Sequence, residues 1–232
     1  MMTGYLDDSY GADTMVCGGW IASDTAWDLI LPKWDERIAL ENRVSARKGL
    51  SPIKRYKASD CALCRKDFEG WSAARQKLFT KRLIDIMTSL PRHELPMIFS
   101  WGLSLSEMKS LFPKATPKYL LQRSYEFCVY RCLVEIATVM KEYYTQERIT
   151  LMHDAGDMYP WARNAFKMAQ SNVKTVVDQF ITIAPMDWWN CHLLQPADMV
   201  AYDSFKVLNK RFLGDHPKPA NEGHLKTGQR AS

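Results

Sequence analysis

No stretch of this chain approaches the roughly 20 consecutive apolar residues that cross a bilayer, so no membrane-spanning helix is expected. The opening Met-Met-Thr-Gly-Tyr-Leu-Asp-Asp has neither the basic flank nor the apolar core of a secretory leader, and a cytoplasmic location is expected. The six cysteines (17, 61, 64, 128, 132 and 191) are then expected as reduced thiols. Walker, Gly-x-Gly-x-x-Gly, Gly-x-Ser-x-Gly and His-Glu-x-x-His patterns are all missing. Their absence argues against the commonest nucleotide-binding, hydrolase and protease chemistries. Cys61-x-x-Cys64 has zinc-finger spacing but lacks a second pair, so buried thiols are the expected state.

What is present suits one large globular domain. The 232 residues are 47% hydrophobic and include 8 Trp, 10 Tyr and 9 Phe, enough for a sizeable core. A net charge of +5 permits a polyanionic partner without requiring one. Short apolar runs at Gly4 to Asp8 and Met15 to Ala22 read as a hairpin. A helix capped by Ser23 or Asp24 is expected to run to about Val44, with Pro32 kinking it or delaying its start. A basic stretch follows, with eight Lys or Arg between Arg43 and Lys66. Beyond it are an expected helix from Phe68 to Leu90 and a strand from Leu95 to Leu103. The rest alternates: helix 119–144, strand 148–154, helix 158–170, strand 180–184 and helix 193–212. Such alternation predicts an α/β sheet flanked by helices over residues 1–213, with a helical insertion at about 24–92. Residues 214–232 have little apolar content and are expected to form a flexible tail.

Three acidic segments stand far apart in the sequence: Tyr5-Leu6-Asp7-Asp8-Ser9, Thr150-Leu151-Met152-His153-Asp154 and Leu194-Gln195-Pro196-Ala197-Asp198. Each puts a carboxylate at the end of an apolar strand or on a helix. Carboxylates gathered at one place repel one another unless a cation lies among them. The alternative for each acid is a helix cap or a turn, and Asp154 and Asp198 both precede helices they could cap.

The opening Tyr-Leu-Asp-Asp-Ser resembles the Tyr-x-Asp-Glu-Ser-Gly start of the domain of unknown function 3800 family. The Leu-Gln-Pro-Ala-Asp-Met segment (194–199) resembles that family's Leu-Gln-x-Ala-Asp helix start. Arg55 to Asp60 resembles its basic strand, and Ile149 to Asp154 its inner strand ending in Asp. Asp8 replaces the family's usual Glu. Tyr10 stands where Gly is usual, although Gly11 follows. The resemblance covers roughly residues 3–212 and implies a ribonuclease H-like fold and a divalent-metal-dependent nuclease or phosphodiesterase. It implies that Asp7, Asp154 and Asp198 hold Mg²⁺ or Mn²⁺, with Asp8 and Asp157 as further carboxylates. Lys57, or another base in 54–57, would steady the transition state, and Gln195, Arg55 and Ser9 would contact substrate or position the acids. A rival expectation is a catalytically weak nucleic-acid-binding protein of mobile-element or phage-defence systems.

Two weaker signals bear on a nucleic-acid partner. The 43–66 basic run, continued by Arg75, Lys77, Lys81 and Arg82, either tracks a phosphate backbone or forms a solvated face. Trp188-Trp189 either stacks on bases or, as such pairs more often do, packs in a core or interface. A homo-oligomer is compatible with the sequence.

Overall fold

The computed structural model describes residues 1–91, 94 and 96–213. The tail expected at 214–232 and Leu95, the expected start of the third strand, lie outside the described residues.

Five strands form one mixed sheet: β1 (Met2–Tyr10), β2 (Thr14–Ser23), β3 (Met97–Ser104), β4 (Ile149–Asp154) and β5 (Phe180–Met186), in the order β3-β2-β1-β4-β5. β1, β2 and β3 pair antiparallel, whereas β4 joins β1, and β5 joins β4, in parallel. This is a ribonuclease H-like α/β arrangement, and it places β1 and β4 side by side at the centre of the sheet.

The insertion between β2 and β3 holds α1 (Asp24–Arg47), α2 (Ala58–Ala62) and α3 (Ala73–Met87). The Ser23 side chain caps α1 by accepting from the Ala26 N–H, and the helix continues through Pro32. Four differences from the sequence expectation stand out. The helix expected over 68–90 is shorter, because Ser72 caps α3 and Phe68 ends a separate 3-10 turn. Leu78 and Ile84, apolar residues of that helix, are exposed and not on its buried face. Residues 55–57 add no strand to the sheet and lead into α2 instead. Two short helices went unanticipated, α4 (Leu105–Leu111) before the long α5 (Pro117–Tyr143), and α7 (Lys174–Gln179) after α6 (Tyr159–Asn172).

Strand alternation separates two cores. Leu6, Met15, Cys17, Ile21 and Leu151 point to one face and pack against α5 and α6. Tyr5, Trp20 and Ala22 point to the other, where they meet α1, the insertion and α8 (Leu194–Leu213). The insertion is held by aromatic rings: Tyr56 lies edge-on to Trp34, Phe68 and Phe79, with centroids 5.9 to 6.1 Å apart.

α8 lies close against the sheet because β2 has no side chain at Gly18, the register partner of Asp7. A Cβ there would sit 3.2 Å from the Ala201 backbone of α8. Gly18→Val should therefore push α8 outward. Overpacking of this kind costs about 1–3 kcal/mol, which for a domain of this size lowers the Tm by about 5 °C. An unchanged melting curve would contradict so close an approach.

Candidate metal centre

Asp7 and Asp8 fall inside β1, two or three residues before its end, and not in a turn. The parallel β1–β4 register runs from Met2↔Ile149 to Leu6↔His153. One residue further it sets Asp154 beside Asp7, on the face that α8 covers. Asp198 belongs to the second turn of α8 and completes the juxtaposition. Asp7 and Asp198 are each only 5% exposed, and Asp154 is half-buried.

The electrostatics record how near these groups are. Burial first, then the charges of Asp198 and Asp8, hold the Asp7 carboxyl well above the usual carboxylate range, against the Asp8 N–H that donates to its Oδ1 at 2.8 Å. Burial also pushes Asp8 up, to about 7; Lys57 opposes the rise, and Asp154 and Asp198 add to it. Asp198 is raised by burial against the Ala58 N–H bond and the charges of Lys57 and Arg55. The charges of these side chains repel one another, and among the described residues no group of three or more His, Cys, Asp or Glu is placed to hold a metal ion.

Neither Asp154 nor Asp198 caps its neighbouring helix. The N-cap of α6 is Met158, without a side-chain bond, and the Asp154 carboxylate has no hydrogen bond or ion pair among the described residues. Asp198 lies too far into α8 to cap it. Its Oδ2 accepts from Ala58 N, at 2.5 Å, and so caps α2.

The other expected site residues divide. Lys57 is exposed and its charge reaches Asp8 and Asp198. Arg55 reaches Asp198, with its guanidinium carbon 4.4 Å over the Trp188 ring. Ser9 shares the face of Asp7 by strand alternation and is half-buried. Asp157 is exposed in the turn before α6; it acts on Tyr10 and is not among the main charges on Asp7, Asp8 or Asp198. Gln195 is buried, and its Oε1 accepts from the Trp34 indole and the Tyr56 N–H, both at 3.2 Å. Its role is to brace segment 55–58, which in turn orients Asp198.

Part of the basic run is paired within the protein. Lys66 bridges Asp60 at 3.0 Å, Lys81 bridges Asp85, and Arg75 bridges Glu41 at 2.7 Å while lying over Trp71. The cysteines are free, and four of them, Cys17, Cys61, Cys128 and Cys132, are buried. One element of the site had no sequence signal. His153 is fully buried behind Asp154, its Nδ1–H donating to the Asp154 carbonyl at 2.7 Å and its Nε2 accepting from Tyr125 Oη at 2.5 Å. Burial holds this histidine below its usual pKa and so neutral. Tyr125 comes from the first half of α5, where the sequence shows only helical periodicity.

No protein-family model matches the chain, and neither does the sequence of any curated protein. Among solved structures it is similar to a chain in the structure of the PCNA:RNase HII complex from Archaeoglobus fulgidus. The TM-score is 0.44 at 11% identity, over 96% of this chain and 83% of that chain. Among the described residues, no helix is long and apolar enough to cross a membrane.

The raised carboxyls give a pH dependence. The unfolded chain releases the Asp8 proton near 3.8, whereas the folded chain keeps it to about 7. Stability should therefore fall as pH rises through that window and level off above it. In metal-free buffer, Asp8→Asn should flatten the decline in Tm between about pH 5 and pH 8. Parallel wild-type and mutant slopes would mean that Asp8 titrates normally.

Proposed function

We propose that this protein is a divalent-metal-dependent phosphodiesterase acting on nucleic acid, and that it belongs with the domain of unknown function 3800 family that its motifs resemble. One observation carries the reading: Asp7, Asp8 and Asp198 lie with Asp154 at one end of the central strands, and burial and mutual repulsion oppose the ionisation of Asp7, Asp8 and Asp198. A protein that keeps so unfavourable a cluster has a use for it. The donor set is all carboxylate oxygen, which suits a hard cation such as Mg²⁺ or Mn²⁺. Asp7, Asp154 and Asp198 would hold it, with Asp8 beside them. When bound, such an ion lowers the pKa of a water and neutralises charge on a phosphodiester.

The chain's own groups supply the rest. Lys57 projects to solvent beside Asp8 and Asp198, where it would pair with an incoming phosphate. Gln195 and Ala58 fix the orientation of Asp198. His153 stays neutral and ties Tyr125 to the end of β4, holding the Asp154 backbone in place. A second reading, a nucleic-acid-binding accessory protein without catalysis, draws support from the Asp198 oxygen already given to Ala58.

Mg²⁺ or Mn²⁺ at about 100 times its Kd should stabilise the protein by about 2.7 kcal/mol, with cleavage of labelled oligonucleotides under the same conditions. Asp7→Asn should abolish both effects. Asp198→Asn keeps an oxygen for Ala58 and should lose cleavage while remaining folded. A metal-dependent melting shift without cleavage would favour the second reading, and no shift in the wild type would end the first.

A further inference from the structure

The turn between β5 and α8 carries an aromatic feature that the metal reading does not use. Trp188 and Trp189 stack with ring centroids 3.6 Å apart and planes 28° from parallel. The turn is fixed: Asp187 accepts from the Trp189 N–H through Oδ1 and from the Asn190 N–H through its carbonyl. The Arg55 guanidinium lies over Trp188, with its Nε buried and lacking a hydrogen-bond partner. Trp188 is thus half-buried between other groups, while Trp189 is 62% exposed. An indole this exposed contributes little to the core, yet its conformation is set by everything behind it.

Its position relates it to the acids. Asp154 is the register partner of Met186, the last residue of β5, and the Ala155 N–H donates to the Met186 carbonyl at 3.0 Å. Trp188 follows two residues later. Arg55 ties the same turn to the other side of the centre, since its charge also acts on Asp198. The platform therefore stands on the acids' side of β5, with Arg55 between Trp188 and Asp198 and Lys57 acting on the same acids.

We propose that Trp189, backed by Trp188 and Arg55, is a stacking subsite for an unpaired base of a single-stranded nucleic acid whose adjoining phosphate is drawn to Arg55 and Lys57. This deepens the phosphodiesterase reading, on which it rests for the direction in which the strand runs. The chemistry selects single strands because an indole face takes a base whose own face is free, and bases inside a duplex already stack on both sides. Stacking does not discriminate among bases, so weak sequence preference is expected. DNA and RNA share this chemistry, and the sugar would distinguish them elsewhere in the site.

The test is binding without turnover: the full-length protein in EDTA, titrated with fluorescent 12-residue oligo-dT, oligo-U and a duplex of the same length. Both single strands, or one of them, should bind more tightly than the duplex and quench tryptophan fluorescence. Trp189→Ala should weaken single-strand binding about ten-fold or more, and Trp189→Phe should recover most of it. The Mg²⁺-dependent melting shift should persist in Trp189→Ala, since that residue holds no metal. Equal affinity for duplex and single strand, or wild-type binding by Trp189→Ala, would overturn the subsite. So would dissociation of a wild-type oligomer by Trp189→Ala in sedimentation, which would make the pair a subunit contact. Failure of the metal reading has a different signature: tryptophan-dependent strand binding with no Mg²⁺ shift in the wild type.

Discussion

Two carboxylates kept from water and close to each other are unstable unless the surrounding protein forces them together. Asp7 and Asp198 are in that position, and much of the architecture serves to keep them there. The parallel pairing of β1 with β4 adds Asp154 to the same face. The missing side chain at Gly18 lets α8 lie near enough for its second turn to reach β1. The Trp20 indole reinforces that approach by donating to the Pro196 carbonyl at 3.1 Å, two residues from Asp198 along the chain. Electrostatic repulsion is opposed by packing and backbone hydrogen bonding, and the apolar faces of the sheet supply the greater part of that opposition.

The insertion belongs to the same construction. Its aromatic cluster gives segment 55–58 a fixed path across the start of α8, and Gln195 fastens the segment at Tyr56. Glu41, buried and bonded by both Arg37 and Arg75, joins α1 to α3 behind it. Six basic residues of this region divide by what they face. Arg65, Lys66, Arg75 and Lys81 face acids of the insertion itself. Arg55 and Lys57 instead bear on the carboxylates of the centre.

The strands were legible in the sequence because the apolar runs at residues 4–8, 15–22 and 149–154 are short and end at acids or turn residues. The three acids were legible for a related reason, since an Asp at the end of an apolar run is costly and its position is conspicuous. What sequence could not supply was contact at long separation. Asp198 looked like a cap for its own helix and turned out to cap a helix 140 residues earlier in the chain. Gln195 looked like a group that positions Asp198 or touches substrate, and its side-chain oxygen is taken by Trp34 and Tyr56. The pair formed by Tyr125 and His153 left no trace, because a tyrosine on a helical stripe reads as ordinary core until the strand opposite is known. The boundary of α3 was missed because the apolar residues from Phe68 to Trp71 continue its periodicity without being helical, and Ser72 resets the backbone.

The bond from Ala58 to Asp198 has a consequence beyond orientation. A backbone amide binds a carboxylate more strongly than a carboxylic acid, so the first turn of α2 acts as an internal ligand for the ionised form of Asp198. Linkage is reciprocal: whatever favours the charge on Asp198 also tightens the start of α2, and whatever removes that charge loosens it. The helical insertion and the ionisation state of the acidic centre are therefore two readings of one equilibrium.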